Sequence, residues 1–168
     1  ELPAFAPRLL TELLDHAVEQ HGNWPAVDFM GRKWSYKDVG NFSRRAARGL
    51  QDLGVAPGTR VGLCLPNTPY YVICYFAVLR VGGVVVNFNP LYTERELEHQ
   101  VTDSGVSIMI ASDLAMSLPK IEPLIGRTSL QRVVVCPIAD VLPAIKGTAY
   151  RLLKRKDIAP QPHDLRFV

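Results

Sequence analysis

The stretch Gly82-Gly83-Val84-Val85-Val86-Asn87-Phe88-Asn89-Pro90-Leu91-Tyr92-Thr93-Glu94-Arg95-Glu96 decides the fold. Three consecutive valines behind a glycine pair read as a strand buried on both faces, because β-branched residues without polar alternation suit a sheet covered on either side. Asn89-Pro90 turns the chain. Thr93 with Glu96 three residues on forms a capping box, so the loop passes into a helix that extends to about Asp103. A strand, a loop and a helix in that order are half of a βαβ unit.

Working outward, the same order recurs on both sides. Arg60 to Leu65 is an apolar run behind Pro57-Gly58, and Thr68-Pro69 opens a helix to about Val81, proline being suited to the first helical position. Downstream, Ser107 to Ala111 and Arg132 to Cys136 read as strands. Between them Asp113 is placed to cap a helix reaching about Ile125, with Pro119 and Pro123 as its weak points. Upstream, Leu10, Leu13, Leu14, Ala17 and Val18 recur at helical spacing before Gly22. Ala26 to Phe29 and Lys33 to Ser35 flank Met30-Gly31-Arg32 as a hairpin. Ser35 with Asp38 opens a second helix, Tyr36 to Leu53, which Gly54 ends. The prediction is an α/β protein, a three-layer αβα sandwich with a mainly parallel sheet plus a small β-hairpin.

With 168 residues, 19 Lys+Arg against 16 Asp+Glu and 48% hydrophobic residues, the chain suits one globular domain, assigned to residues 1–168. The excess positive charge is local to Lys146–Lys156, and the rest of the chain is close to neutral, which excludes a general nucleic-acid footprint. The three cysteines are odd in number and each lies in an apolar run, so they read as reduced core residues of a cytoplasmic protein. Arg80 and Gly82-Gly83 interrupt the longest apolar stretch, Val72 to Phe88, so no segment is expected to cross a membrane. No basic stretch followed by an apolar run comes after Glu1, so a secretory signal is not expected in this stretch. After Cys136, prolines at 137, 143, 160 and 162 predict an irregular segment over 137–168. Within it Ile145–Lys156 is basic and amphipathic: either an ordinary surface helix or one that lies on an anionic membrane. The ending Arg166-Phe167-Val168 carries no stop signal, and the expectation is a cut through a longer polypeptide.

Dinucleotide and phosphate-loop glycine motifs are absent, as is a nucleophile elbow, and the four histidines lack partners at metal-ligand spacing. Glycines 54, 58, 62, 82 and 83 are assigned to turns and strand ends. The loop Asn87–Tyr92 is the candidate site. It lies beyond the carboxyl end of a predicted parallel strand, where open α/β sheets bind ligands, and it leads into a helix whose amino end favours an anion. Its two Asn amides and one Tyr hydroxyl supply donors and acceptors. The competing reading is a loop that only turns the chain and caps the helix. Leu65-Pro66-Asn67-Thr68-Pro69 is a second strand-end loop, already explained as a helix start.

The run Gly82 to Gln100, closing with Asp103-Ser104-Gly105, resembles the long-chain fatty-acid–CoA ligases of the adenylate-forming superfamily. Supporting the resemblance are Trp34-Ser35-Tyr36 opening a helix, Gly54-Val55 with Pro57-Gly58 before Arg60-Val61, Leu65-Pro66-Asn67, Leu79-Arg80-Val81-Gly82-Gly83, and Lys146-Gly147-Thr148 before a basic stretch. It implies a two-step reaction in which a carboxylate, ATP and coenzyme A give an acyl-CoA, AMP and pyrophosphate through an acyl-adenylate. ATP, magnesium and coenzyme A belong to the full-length enzyme. The family's Ser/Thr/Gly-rich phosphate loop, its adenine and ribose motifs and its catalytic lysine have no match here. The implied role is therefore a non-catalytic amino-terminal part, inactive alone and binding none of these groups by itself.

The resemblance also implies that Asn89, Pro90 and Leu91 border the coenzyme A nucleotide and that Lys120 meets its phosphate. The implied partners are a medium- or long-chain fatty acid or another carboxylic acid and further copies of the same chain, with peripheral membrane contact through Ile145–Lys156. Two other readings stay open at this stage: a free-standing flavodoxin-like binding module, and another adenylate-forming enzyme such as an aryl-CoA ligase.

Overall fold

The computed structural model describes residues 8–160; the expectations for Glu1, Pro162 and Arg166-Phe167-Val168 lie outside the described residues. After helix α1 (Leu10–His21) the hairpin forms from β1 (Pro25–Phe29) and β2 (Arg32–Ser35). Its two-residue turn places Met30 at φ 58° and Gly31 at φ 94°, the left-handed pair whose twist matches the flanking strands. Asp28 Oδ1 accepts from the Gly31 N–H at 3.2 Å and holds that turn.

Helix α2 (Tyr36–Asp52) starts on the predicted box: Ser35 Oγ accepts from Asp38 N at 3.1 Å and the Asp38 carboxylate accepts from Ser35 N at 2.9 Å. The Ser35 hydroxyl also donates to that carboxylate at 2.7 Å, and this bond first, with the one from Ser35 N, holds the Asp38 carboxyl below its ordinary value. The alternation then runs β3 (Arg60–Cys64), α3 (Pro69–Arg80), β4 (Val84–Asn87), α4 (Glu94–Ser104), β5 (Ile108–Ser112), α5 (Leu118–Ile121) and β6 (Arg132–Cys136). The four strands pair in parallel in the order β4-β3-β5-β6.

Side chains on a strand point alternately to opposite faces, and this sorts the core into two halves. Val61, Leu63, Ile108 and Ile110 face α2 and α3, where they meet Leu50, Ala77 and Val78. Cys64, Met109 and Ala111 face the other way, against Leu97 and Val101 of α4 and Leu118 and Ile121 of α5. The sheet is therefore the middle of three layers. A third cluster of Leu14, Trp34, Val39 and Ile73 fastens α1 and the hairpin onto α2 and α3. Arg80 adds a polar tie, donating to Asp15 (3.0 Å) and to Ser43 Oγ (3.2 Å), and that hydrogen bond to Arg80 is the main reason the Asp15 carboxyl sits below its ordinary value.

Gly62 lies inside β3 rather than at a turn. A Cβ there would meet Phe88 Cε2 at 2.9 Å, Val106 Cγ1 at 3.2 Å and Met109 Cε at 3.3 Å. Glycine is needed for this close approach, and Gly62→Ala is expected to cost about 1–3 kcal/mol by overpacking. A urea midpoint equal to wild type would show that the three neighbours yield freely. Gly82 has a different cause, φ +73° with Pro57 Cα 3.2 Å from where its Cβ would stand.

Two expectations are corrected beyond β5. The predicted helix Asp113–Ile125 shrinks to α5, followed by a 3-10 turn at Glu122–Leu124. Pro119 and Pro123 each lack an N–H, so helical hydrogen bonds cannot propagate through this segment. Asp113 does not cap it. Its Oδ1 accepts from the backbone N–H of Ile138, at 2.8 Å. The irregular segment expected from residue 137 contains α6 (Ile138–Val141) and α7 (Ala144–Leu153). Pro137 and Pro143 occupy the N-cap positions of these helices, where a missing N–H is harmless, so they start helices instead of breaking them. The basic stretch Ile145–Lys156 is helical as far as Leu153, and a short 3-10 turn covers Arg155–Asp157. Among the described residues no helix is long and apolar enough to cross a membrane.

Candidate functional site

Asn87 closes β4, an edge strand, and the Phe88 N–H extends the ladder by donating to Leu63 O at 2.9 Å. Phe88 is buried beneath the loop. The chain then turns: the Asn89 carbonyl accepts from Tyr92 N at 3.0 Å, with Pro90 at the second position. Asn89 Oδ1 accepts from Leu91 N, also at 3.0 Å, which leaves Asn89 and Leu91 exposed on the outside of the turn. Half-buried Lys120, on α5, reaches this turn with its ammonium and donates to Tyr92 O at 2.9 Å. All four residues singled out from the sequence thus meet at one place.

The amino end of α4 differs from expectation. Thr93 Oγ1 accepts from Glu96 N at 3.4 Å, while the Glu96 carboxylate takes the Thr93 N–H and O–H, each at 2.8 Å. The Glu96 carboxyl is held below its ordinary value first by the bond from the Thr93 backbone. A helix end already filled by its own carboxylate is a poor anion site. The loop's acceptors are also engaged. Tyr71 Oη donates to Asn87 Oδ1 at 3.1 Å and Gln100 Nε2 donates to Asn87 O at 2.9 Å. Asn87 and Asn89 are exposed, and Lys120, which spends one N–H on Tyr92 O, is half-buried beside them. A donor-rich rim of this kind suits a phosphate or a carboxylate.

Tyr71 and Gln100 were not identified from the sequence. Gln100 carries a signal, because it shares the α4 face with buried Leu97, three residues before it. Tyr71 carries none, since its bond to Asn87 depends on how α3 lies beside β4. The strand order adds a further point. The crossovers leave β3 and β5 in opposite directions, which places the crevice between their carboxyl ends, flanked by Leu65–Thr68 and Asp113–Ser117. Asn87–Tyr92 borders that crevice from the neighbouring edge strand. Thr68 Oγ1 and Ser112 Oγ are buried near it without hydrogen-bond partners among the described residues. At the end of β3, burial pushes the Cys64 thiol up to about 12, so it is an inert core group rather than a nucleophile.

Burial raises the Asp113 carboxyl above its ordinary value of 3.8, and the bond from Ile138 only partly opposes this. The folded state then binds a proton more readily than the unfolded chain, so this group destabilises the fold progressively as pH rises through the window just above 3.8. Asp113→Asn keeps an acceptor for Ile138 and removes the titration. The expected outcome is a variant more stable than wild type at neutral pH whose advantage disappears below the window. Parallel stability–pH curves for the two proteins would refute it.

Among the described residues no group of three or more His, Cys, Asp and Glu side chains comes together to hold a metal ion.

A model of the family described as AMP-binding enzyme matches residues 14–168. The long-chain-fatty-acid–CoA ligase of Salmonella typhimurium is 39% identical over 158 residues, covering 92% of this chain and 28% of that enzyme. The chain thus spans little more than a quarter of the length of the curated relatives it matches. Among solved structures, the long-chain-fatty-acid-CoA ligase of Archaeoglobus fulgidus superimposes with a TM-score of 0.71 at 26% identity, over 82% of this chain and 30% of that one. The anthranilate CoA ligase AuaEII, solved with anthranoyl-AMP, superimposes at 0.72 over 95% of this chain and 29% of that one, but at 23% identity it shares only the fold. A free-standing flavodoxin-like module does not account for these matches. Because the family match runs from the second turn of α1 to Val168 and takes in the whole parallel sheet, the chain belongs to the AMP-binding enzyme family.

Proposed function

We propose that this chain is the amino-terminal, non-catalytic subdomain, residues 1–168, of an ATP-dependent ligase that joins a medium- or long-chain fatty acid to coenzyme A. The acid would attack the α-phosphate of ATP to give an acyl-adenylate and pyrophosphate, and the coenzyme A thiol would then displace AMP. The observation that carries this reading is the 39% identity to a long-chain-fatty-acid–CoA ligase across 92% of the chain. Within it, Asn89, Pro90, Leu91 and Lys120 form a rim for the coenzyme A nucleotide. The support is geometric: an exposed turn that carries Asn89 and Leu91, and one ammonium group on it, at the carboxyl side of a parallel sheet. The same reading places the enzyme in the cytoplasm as an oligomer of like chains. The exposed Ile145, Leu152 and Leu153 of α7, beside Arg151, Lys154, Arg155 and Lys156, support contact with an anionic membrane surface.

Pyrophosphate release tests the reading. The enzyme that carries this segment, given ATP, magnesium and coenzyme A, is expected to release pyrophosphate with decanoate or oleate, and the isolated chain is expected to release none. Turnover of benzoate with no turnover of either fatty acid would favour an aryl-CoA ligase and overturn the proposal.

A further inference from the structure

The turn Asn87–Tyr92 is fixed at both ends. At its exit the Lys120 ammonium holds Tyr92 O, and the Thr93–Glu96 capping box follows at once. At its entry, exposed Asn87 is held by the helices before and after β4. Tyr71 Oη of α3 donates to its side-chain Oδ1 at 3.1 Å, and Gln100 Nε2 of α4 donates to its backbone carbonyl at 2.9 Å. Of these two ties, only the one from Gln100 grips the backbone.

Gln100 is an unfavourable residue for the place it occupies. It is half-buried, three residues after Leu97 and next to Val101, both of which are wholly buried. Its Oε1 is buried and has no hydrogen-bond partner among the described residues. A buried acceptor without a donor costs stability. The bond that Nε2 makes does little to offset that cost, because the carbonyl it meets belongs to an exposed residue, which water serves nearly as well. An unbranched apolar side chain would suit the fold better. Gln100 thus costs the fold and serves the turn, and sequences break local rules of this kind at functional sites.

We propose that Gln100 is a positioning residue for the coenzyme A nucleotide: by holding the Asn87 carbonyl it sets the direction in which the chain leaves β4, and with it the place of Asn89, Pro90 and Leu91. It touches no substrate and acts through the backbone of the turn. A turn held at both ends before the ligand arrives has less freedom to lose on binding. The inference rests on the coenzyme A reading of this rim.

Gln100→Met, in the enzyme that carries this segment, keeps the length of the side chain and removes both the donor and the orphaned oxygen. The KM for coenzyme A is expected to rise about fivefold, the worth of one neutral hydrogen bond. Acid-dependent exchange between ATP and pyrophosphate is expected to keep its wild-type rate, and the thermal midpoint to stay at or above wild type. A residue that only supports the fold would behave otherwise, lowering the midpoint and moving exchange and affinity together. An unchanged KM for coenzyme A, a loss in exchange equal to the loss in affinity, or a lower midpoint each overturns the proposal. Lys120→Ala separates the failures. If it raises the KM for coenzyme A and Gln100→Met does not, this inference falls and the rim stands; if neither variant raises it, the rim falls and takes the inference with it. An enzyme that releases no pyrophosphate with either fatty acid overturns the ligase reading and this inference together.

Discussion

Replacing Leu63 with alanine is expected to lower the stability of the chain by about 2–5 kcal/mol, read as a fall in the urea midpoint with unchanged slope. Leu63 is wholly buried on β3, an inner strand of the sheet. Its side chain belongs to the cluster in which Ala77 and Val78 of α3 meet Ile110 of β5. Alanine removes the transfer free energy of the lost carbons and leaves a void that a strand paired on both sides cannot close. Against a total stability of about 5–15 kcal/mol for an ordinary domain, this loss is a large fraction. Leu153→Ala is the control. That leucine is 82% exposed on α7, and the change is expected to stay within about 0.5 kcal/mol of wild type. A Leu63→Ala cost below about 1 kcal/mol would mean that the centre of the sheet is far less rigid than its packing implies.

In the enzyme that carries this segment, Lys120→Ala is expected to raise the KM for coenzyme A by at least about tenfold, the worth of a lost charge-assisted hydrogen bond. Acid-dependent exchange between ATP and pyrophosphate, which reports adenylation before coenzyme A enters, is expected to stay at the wild-type rate. The asymmetry follows from position: the ammonium lies on the Tyr92 carbonyl at the exposed turn. Lys120→Arg retains the positive charge and is expected to recover most of the affinity. Equal losses in exchange and in coenzyme A affinity would show that Lys120 supports only the fold of the loop.

Local structure was readable wherever the interacting groups stand close in the chain. The capping boxes of Ser35 with Asp38 and of Thr93 with Glu96 form as their three-residue spacing requires. The Met30-Gly31 turn and the proline start of α3 belong with them. Two misreadings share a cause, which is that a residue was given a local role it does not have. Asp113 looked like a helix cap, yet its partner Ile138 is 25 residues away across the β5–β6 pairing. Gly62 looked like a turn glycine, yet its side-chain position is filled by Phe88, Val106 and Met109 from three later segments.

The candidate site divides in the same way. Asn89, Pro90 and Leu91 are contiguous, and their turn follows from residue type. That Lys120 stands over them, and that Tyr71 and Gln100 consume the acceptors of Asn87, depends on α3, α4 and α5 packing around the edge strand β4. By itself the sequence determined the elements as far as β5, together with β6, their α/β alternation and the family resemblance, because hydrophobic period, caps and turn residues act over a few positions. Tertiary structure alone decided the order β4-β3-β5-β6, the glycine in the middle of β3 and the convergence of Lys120 on Tyr92. Those depend on packing and hydrogen bonding between residues distant in the chain, which no local spacing records.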